Sequence, residues 1–226
     1  LPSAPHRAIR SFVRRAGRIT SAQRRALADI WPRYGIESGD TPLDLAALFQ
    51  RTAPLIVEIG FGNGEALAAM AVAHLENNYL GIEVHRPGIG SLLLRLESGA
   101  LTNVRLLEGD AKEVLAQRTP PGSVQAVHVF FPDPWPKKRH HKRRLVQADF
   151  IASIHRALMP GGYLHLATDW QEYAEHMLAL LTQTPGFDNT AGAGNYAPRP
   201  EYRPLTKFER RGQRLGGLGL VLRVGL

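Results

Sequence analysis

Residues 130–144 bring a carboxylate, aromatic rings and many cations together in one short stretch. The segment Phe130-Phe131-Pro132-Asp133-Pro134-Trp135-Pro136 is followed by eight residues, 137–144, of which six are Lys or Arg and two are His. Proline fixes φ and removes a backbone donor, so we expect the three prolines to hold Asp133 in a stiff loop. An acid and stacking rings beside a dense run of cations predict chemistry on a polyanion such as nucleic acid.

The rings and the cations of this segment predict different roles. Trp135 or Phe131 can stack on a nucleobase, a contact worth about 1–3 kcal/mol per base, and core packing is the alternative role for at least one of the aromatics. If about four cations meet phosphates, the logarithm of affinity falls against the logarithm of salt concentration with a slope of roughly −3 on single-stranded or loop RNA. The cations therefore predict affinity, and specificity must come from a pocket.

A second candidate site is the glycine loop Gly60-x-Gly62-x-Gly64, which follows a short apolar segment. Glycine lets the backbone turn tightly and approach a ligand, because positive φ is free only for glycine. A dinucleotide-binding loop would have its third glycine at position 65, where this chain has Glu65. Glu58 would also repel a pyrophosphate. These acids disfavour an NAD oxidoreductase and favour a cationic cofactor, and S-adenosylmethionine carries both a sulfonium and an ammonium group.

Two further acids follow the next predicted strands. Glu83 is placed to accept hydrogen bonds from ribose hydroxyls, as does an acid roughly 20 residues beyond the glycines in nucleotide-binding sheets. Gly109-Asp110-Ala111 is a natural place to bind an adenine amino group. Each acid alone could equally be a helix cap. The series of acids after three strands is what favours a cofactor site.

Short apolar strands alternate with helical stretches from residue 54 onward. We predict strands at 55–59, 79–84, 104–107, 124–130, 163–167 and 215–224, and helices at 21–30, 43–49, 65–75, 87–97, 111–117, 145–158 and 170–181. Residues 185–203 are predicted to form a mobile loop. This alternation predicts an α/β fold with a doubly wound, mostly parallel, Rossmann-like sheet. Ligands bind such sheets at the carboxyl ends of the strands, where Glu58, Glu83, Asp110, Asp133 and Asp169 all fall.

Composition narrows the class of protein. The 226 residues carry a formal net charge of +8 and include no cysteine. Thiolate zinc sites, cysteine nucleophiles and disulfides are therefore excluded, and we expect no metal. No apolar run approaches the roughly 18 residues of a membrane span, so we expect a cytoplasmic protein without a membrane partner. The basic balance favours a nucleic-acid partner.

The first 28 residues are rich in arginine and contain no acid. We interpret residues 1–37 as a basic arm with a helix and residues 38–226 as one catalytic domain. An organelle transit peptide is the alternative interpretation of this leader, and we favour an arm that binds phosphates. The arm's arginines are Arg7, Arg10, Arg14, Arg15, Arg18, Arg24 and Arg25.

Guanine N7 is the acceptor that fits these residues best. It has an exposed lone pair and no proton, so it can attack a sulfonium methyl group without a strong base. Positioning then supplies most of the catalysis, and a nearby carboxylate stabilises the positive charge that develops on the purine. Asp133 could do this, or it could select guanine by accepting hydrogen bonds from N1–H and the N2 amino group.

Several segments together resemble the bacterial tRNA (guanine-N7-)-methyltransferases. They are Val57-Glu-Ile-Gly-Phe-Gly-Asn-Gly, Gly81-Ile-Glu-Val-His, Phe131-Pro-Asp-Pro-Trp with its cation run, Ala167-Thr-Asp-Trp and Thr206-Lys-Phe-Glu-Arg-Arg-Gly, and they occur in matching order over residues 54–214. The resemblance implies methyl transfer from S-adenosylmethionine to the guanine at position 46 in the variable loop of tRNA.

The resemblance also implies roles for individual residues. Glu58, Glu83, Asp110 and Asp133 correspond to the cofactor-site acids, and Asp133 is also the implied catalytic residue. The implied substrate-binding residues are Lys137, Asp169, Thr206, Lys207, Phe208 and Glu209, and the implied RNA contacts are Arg139, His140, His141, Lys142, Arg143 and Arg144. Asp169 and Glu209 could close the pocket around guanine, and an ion pair with Lys207 or Arg210 is their alternative role.

Two alternative functions remain open from the sequence. Asp133-Pro134-Trp135 resembles the acid-Pro-Pro-aromatic loop of exocyclic amino methyltransferases such as those acting on adenine N6, although the second proline is missing. A non-catalytic RNA-binding module on a methyltransferase scaffold is the other, because a fold alone does not establish activity. The oligomeric state is left open.

Overall fold

The computed structural model describes residues 11–12, 17–207, 209–210 and 220–225. In these ranges the strands are β1 (Gly35–Ile36), β2 (Leu55–Ile59), β3 (Asn78–Glu83), β4 (Val104–Glu108), β5 (Val124–Phe130), β6 (Leu158–Thr168), β7 (Asp188–Asn189) and β8 (Leu220–Gly225). The helices are α1 (Ser21–Asp29), α2 (Trp31–Tyr34), α3 (Leu45–Phe49), α4 (Glu65–Ala73), α5 (Arg86–Ser98), α6 (Ala111–Glu113), α7 (Ala148–Ala157) and α8 (Gln171–Thr182). A π-helical turn spans Val114–Arg118, and a 3-10 helix spans Lys138–Arg143.

The strands form one sheet in the order β1-β4-β3-β2-β5-β6-β8-β7. The pairs from β1 to β6 are parallel, whereas β8 runs antiparallel to both β6 and β7. The chain moves outward from β2 through β3 to β4 on one side and through β5 to β6 on the other. The strand order therefore reverses at the neighbouring strands β2 and β5, and ligands bind such sheets at this switch point. The prediction of a doubly wound sheet is confirmed.

Alternate residues of the central strands pack into two separate apolar layers. In β2, Ile56 belongs to the cluster formed with α1, α4 and α5, whereas Val57 and Ile59 belong to the cluster formed with α7 and α8. All five residues of β2 are buried. Strands that are covered on both faces in this way consist almost entirely of apolar residues. The polar Glu58 within β2 therefore calls for a specific explanation.

A side-chain cap fixes the start of helix α1 at Ser21. Thr20 is the N-cap, since the amide of Gln23 donates to Thr20 Oγ1 at 3.2 Å and the amide of Thr20 donates to Gln23 Oε1 at 2.9 Å. This reciprocal capping box satisfies two amide groups at the start of the helix. The Gln23 side chain also donates to Ser91 Oγ at 2.9 Å, which fixes α1 to α5.

The largest difference from the predicted elements lies at Met159-Pro160-Gly161-Gly162, which was predicted to separate a helix from a strand. Instead β6 begins at Leu158, which pairs with Val124. The register then shifts, so that Tyr163 pairs with Ala126. A bulge accommodates the proline and the glycines within the strand, because extra residues on one strand need no ladder partner.

Smaller differences concern the ends of the chain and the loops. The predicted mobile loop 185–203 contains β7, and the predicted helix at 111–117 changes to the π-helical turn after Glu113. Outside the described residues lie Arg7, Arg10, Arg14 and Arg15 of the arm, Phe208, and residues 211–219, which include the first five residues of the predicted final strand. None of the helices in the described part of the chain is both long enough and apolar enough to span a membrane.

Candidate active site

The glycine loop after β2 adopts a conformation that demands glycine. Gly60, Gly62 and Gly64 have φ angles of +69°, +57° and +71°. A Cβ built at Gly60 or Gly62 would meet no heavy atom of the described chain within 4 Å, whereas one at Gly64 would lie 2.6 Å from a carbon of Leu92. The first two glycines therefore keep space open for a ligand, and the third permits α5 to pack closely.

Glu83, at the end of β3, accepts hydrogen bonds that hold the glycine loop in place. Its Oε2 accepts a hydrogen bond from the amide of Gly62 at 2.9 Å. Its Oε1 accepts from the amides of Val84 and His85 at 2.7 and 3.0 Å. The carboxylate thus ties the glycine loop to the start of α5, and its role toward ribose stays a prediction.

A cavity of about 510 Å³ opens at the switch point between β2 and β5. This size lies within the range of roughly 300–1,000 Å³ that is usual for small-molecule sites. Its walls come from the glycine loop, the start of α5, the end of β5 and residues 203–206. The predicted residues Glu58, Gly60, Gly62 and Thr206 line it.

Glu58 is the buried acid of this cavity. Its side chain is 2 % exposed, and Oε2 has no hydrogen-bond partner within the described ranges. Burial raises the pKa of Glu58 to about 8, the charge of Glu83 adds to this rise, and Arg203 opposes it. A cationic group entering the cavity would favour the ionised carboxylate, so this site suits the ammonium or sulfonium of a methyl donor.

Arg203 is a residue of this site that sequence reasoning missed. Its side chain is 1 % exposed, and it forms a bidentate ion pair with Glu209 through bonds of 2.9 and 2.8 Å. Its guanidinium carbon lies 5.3 Å from the ring centre of Phe130 and 5.7 Å from that of Phe131. Glu209 is thus paired with Arg203 rather than with Lys207 or Arg210. The available signal was the position of Arg203 three residues before the Thr206 motif.

The segment after Arg203 is fastened to the glycine loop by Glu65. The amide of Lys207 donates to Glu65 Oε2 at 3.2 Å, and Arg210 lies 3.8 Å from Glu65 Oε1. Thr206 Oγ1 accepts from the amide of Glu209 at 3.2 Å. Glu65, which stands where a dinucleotide-binding motif has its third glycine, therefore joins the two walls of the cavity.

The Phe-Pro-Asp-Pro-Trp loop is held in a strained conformation. Phe131 and Trp135 have φ angles of +52° and +47°, which are uncommon for bulky residues and cluster at functional sites. The amide of Phe131 donates to the carbonyl of Ala167 at 2.7 Å, and Trp135 Nε1 donates to the carbonyl of Ser11 at 3.2 Å. Asp133 is exposed, and the loop reaches the cavity through Phe130 and Phe131.

The cation run lies on the surface beside this loop. Lys137, Lys138, Arg139 and Lys142 are exposed. Arg143 is half-buried, with its guanidinium carbon 5.2 Å from the ring centre of Trp135. The side chains that are free to meet phosphates are therefore concentrated next to Asp133.

The two histidines of the run, His140 and His141, differ from the surrounding Lys and Arg residues in their surroundings and in the charge they can carry. Desolvation lowers the pKa of His140, and the charges of Arg139, Arg143, Lys137 and Lys142 lower it further. His141 lies 3.4 Å from the carboxylate of Glu172. A histidine whose pKa is lowered from its ordinary value carries little charge at neutral pH, so His140 can stack or donate but adds little to the attraction of phosphates.

Arg144 is the exception among the predicted RNA contacts. Its side chain is 2 % exposed, its Nε donates to the carbonyl of Pro134 at 2.9 Å, and its Nη2 donates to Glu172 at 3.3 Å. Its guanidinium also covers the ring of Tyr173 at 4.9 Å. In this position Arg144 supports the Asp133 loop from within the fold, and its role as an RNA contact stays a prediction.

The remaining predicted residues lie outside the main cavity. Asp110 caps α6, since its Oδ1 accepts from the amide of Lys112 at 3.0 Å, and it lines a separate cavity of about 290 Å³. Ala111 is the buried first residue of α6. Asp169 and Lys137 are exposed at the ends of β6 and of the Asp133 loop. In the described part of the chain, no cluster of three or more His, Asp or Glu could hold a metal ion.

Comparison with known proteins identifies the family. A family profile described as "Putative methyltransferase" matches residues 52–220. The tRNA (guanine-N(7)-)-methyltransferase of Nitrosospira multiformis is 57 % identical over 213 residues, which cover 94 % of this chain and 92 % of that protein. The protein of the same name from Alkalilimnicola ehrlichii is 58 % identical over 212 residues, covering 93 % and 89 %.

Solved structures support the fold independently. The 16S rRNA methyltransferase KamB matches with a TM-score of 0.60 at 14 % identity, covering 86 % of this chain and 98 % of that one. A SAM-dependent methyltransferase from Aquifex aeolicus matches with a TM-score of 0.52 at 12 % identity, covering 90 % and 88 %. With the fold matched and the sequence similarity extending over nearly the whole length, the chain belongs to the tRNA (guanine-N(7)-)-methyltransferase family.

Proposed function

We propose that this protein transfers a methyl group from S-adenosylmethionine to N7 of the guanine at position 46 in the variable loop of tRNA. The observation that carries the proposal is the buried carboxylate of Glu58, which faces a cavity at the switch point beside a loop of three positive-φ glycines. An exposed run of cations follows the next strand of the sheet. A cytoplasmic location is part of the proposal, because it gives access to tRNA.

The cavity suits the methyl donor chemically. The donor supplies an electrophilic methyl group on a sulfonium. Glu58 would hold the ammonium group of its amino-acid portion, because an opposite charge offsets the desolvation of a buried carboxylate. Gly60 and Gly62 leave the backbone of the loop open to a ligand. The acid Asp110 borders the neighbouring cavity, where we propose that the adenine amino group binds.

Asp133 would act on the guanine. N7 has no proton to lose, so the protein needs to hold the base in line and to stabilise the positive charge that forms on it. Asp133 is exposed on a loop stiffened by prolines and by the bond from Arg144 to Pro134. Binding of the tRNA would cover Asp133 and strengthen its electrostatic effect, because screening by water is lost.

The tRNA backbone would lie across the exposed cations. Lys137, Lys138, Arg139 and Lys142 adjoin Asp133 in sequence and point to solvent. Such contacts position the nucleic acid without reading its sequence. We propose that Thr206, which lines the cavity, and Asp169, which is exposed at the end of β6, contact the guanine.

Substitution of Asp133 tests this assignment. We expect Asp133→Ala to lower turnover by about 100-fold or more, the usual effect of removing one electrostatic contact to the transition state, while the affinity for tRNA stays within about 3-fold. Asp133→Asn keeps the shape and loses the charge, so it separates charge stabilisation from hydrogen bonding.

Asp149→Asn is the matched control, because Asp149 is 70 % exposed on α7 and pairs only with Lys112 at 3.1 Å among the described residues. Its turnover and tRNA affinity are expected to equal those of the wild type. Unchanged turnover in Asp133→Ala would show that Asp133 is not part of the reaction site.

A further inference from the structure

Two residues of opposite charge line the same cavity, and each carries a buried polar atom without a hydrogen-bond partner among the described residues. Glu58 Oε2 and Arg203 Nε both lack a hydrogen-bond partner in the part of the chain that the structure describes, and both side chains are at most 2 % exposed. Both residues line the cavity of about 510 Å³. Buried polar groups without partners are rare and costly, which points to a ligand that satisfies them.

The two groups are close enough to influence each other. The charge of Arg203 lowers the pKa of Glu58 against the effect of burial. The two Nη atoms of Arg203 are fixed by Glu209, and Phe130 and Phe131 lie against the guanidinium. Arg203 Nε is therefore a donor in a fixed orientation, which loses little entropy when it binds a ligand.

We propose that Arg203 and Glu58 together recognise an amino-acid zwitterion, with Arg203 Nε donating to its carboxylate and Glu58 accepting from its ammonium. The inference rests on the proposed function, because the methyl donor ends in such a group. It adds Arg203 as a binding residue and assigns a reason for the Arg203–Glu209 ion pair, which fixes the orientation of the guanidinium in the cavity wall.

The test compares ligands with and without the carboxylate. The probes are S-adenosylhomocysteine and its decarboxylated analogue, with affinities measured by calorimetry. A hydrogen bond to a charged group contributes enough to predict a loss of about 10- to 100-fold in the wild-type protein when the carboxylate is removed. In Arg203→Lys the ammonium can still pair with Glu209, but Nε is gone, so the loss is expected to shrink to less than about 3-fold.

Glu209→Gln is the matched control, because it weakens the ion pair and retains Arg203. It should keep at least about a 10-fold preference for the carboxylate, whereas a purely structural role of the pair would abolish the preference in both variants. If Arg203→Lys does not fold, as judged by its thermal unfolding, the double variant Arg203→Met and Glu209→Met replaces the pair with apolar groups and serves the same comparison.

The outcomes separate this inference from the proposed function. Failure of the wild-type protein to bind S-adenosylhomocysteine would contradict the methyl donor itself. Binding of S-adenosylhomocysteine with the same carboxylate preference in wild type and Arg203→Lys, or with no preference in the wild type, would overturn the inference alone.

Discussion

Replacement of Glu58 by Gln is expected to stabilise the protein at alkaline pH and to have little effect at acid pH. Burial in the cavity wall raises the pKa of Glu58 from 4.5 to about 8. Between these two values the unfolded chain has released the proton and the folded chain still holds it. Stability therefore falls as pH rises through this window, and the loss is complete above pH 8.

The size of the effect follows from the two pKa values. A difference between 4.5 and about 8 corresponds to a loss of at most about 5 kcal/mol. Gln does not titrate, so Glu58→Gln avoids this loss. We expect the free energy of unfolding of Glu58→Gln, relative to that of the wild type, to rise by about 2–5 kcal/mol between pH 5 and pH 8.5.

Urea denaturation of both proteins at half-unit steps from pH 5 to pH 8.5 measures this difference without adding salt. Glu97→Gln is the control, because Glu97 lies on the surface with half of its side chain exposed and pairs with Arg33 at 3.1 Å. Its difference from wild type is expected to stay small across the range. A difference between Glu58→Gln and wild type that does not change with pH would refute the reasoning that burial holds the proton on Glu58.

Two further contrasts separate structural from functional positions. Lys142→Ala is expected to make the slope of log affinity for tRNA against log salt concentration shallower by about 0.7 and to leave thermal unfolding unchanged. Arg144→Ala is expected to lower the free energy of unfolding by about 1–3 kcal/mol. The opposite pattern, measured by salt titration and urea denaturation, would contradict the burial of Arg144. Gly64→Ala should destabilise the protein more than Gly60→Ala, because both have positive φ but only the Cβ at 64 meets Leu92; equal urea midpoints would argue against that contact.

The sequence was sufficient to predict strands β2 to β6 and β8 and the positions of the acids Glu58 and Glu83, but not the two-residue strands β1 and β7. Buried parallel strands are nearly continuous apolar runs, and Glu58 and Glu83 lie at the carboxyl-terminal ends of such runs in β2 and β3. The direction of each side chain was not predictable in the same way. Glu83 turns toward the amides of Gly62 and His85 because the loop folds back over it, and no local pattern encodes that turn.

Arg203 and Arg144 show why contacts made over long distances escape sequence patterns. Arg203 lies in a segment predicted as a mobile loop. Its partner Glu209 is six residues further along the chain, but Phe130 comes from the distant strand β5. Arg144 ends a run of similar cations, and only the 3-10 helix of Lys138–Arg143 directs it inward while its neighbours face solvent. Tertiary packing decides both cases, because the residue types are the same for a surface cation and a buried one.

The most direct test of the central claim is to identify the methylated nucleoside. Unmodified tRNA with guanine at position 46 is incubated with the protein and S-adenosylmethionine labelled in its methyl group, then digested and analysed by mass spectrometry, beside a tRNA that has adenine at that position. Labelled N7-methylguanosine is expected from the first tRNA and none from the second. Label in N6-methyladenosine, or equal labelling of both tRNAs, would contradict it.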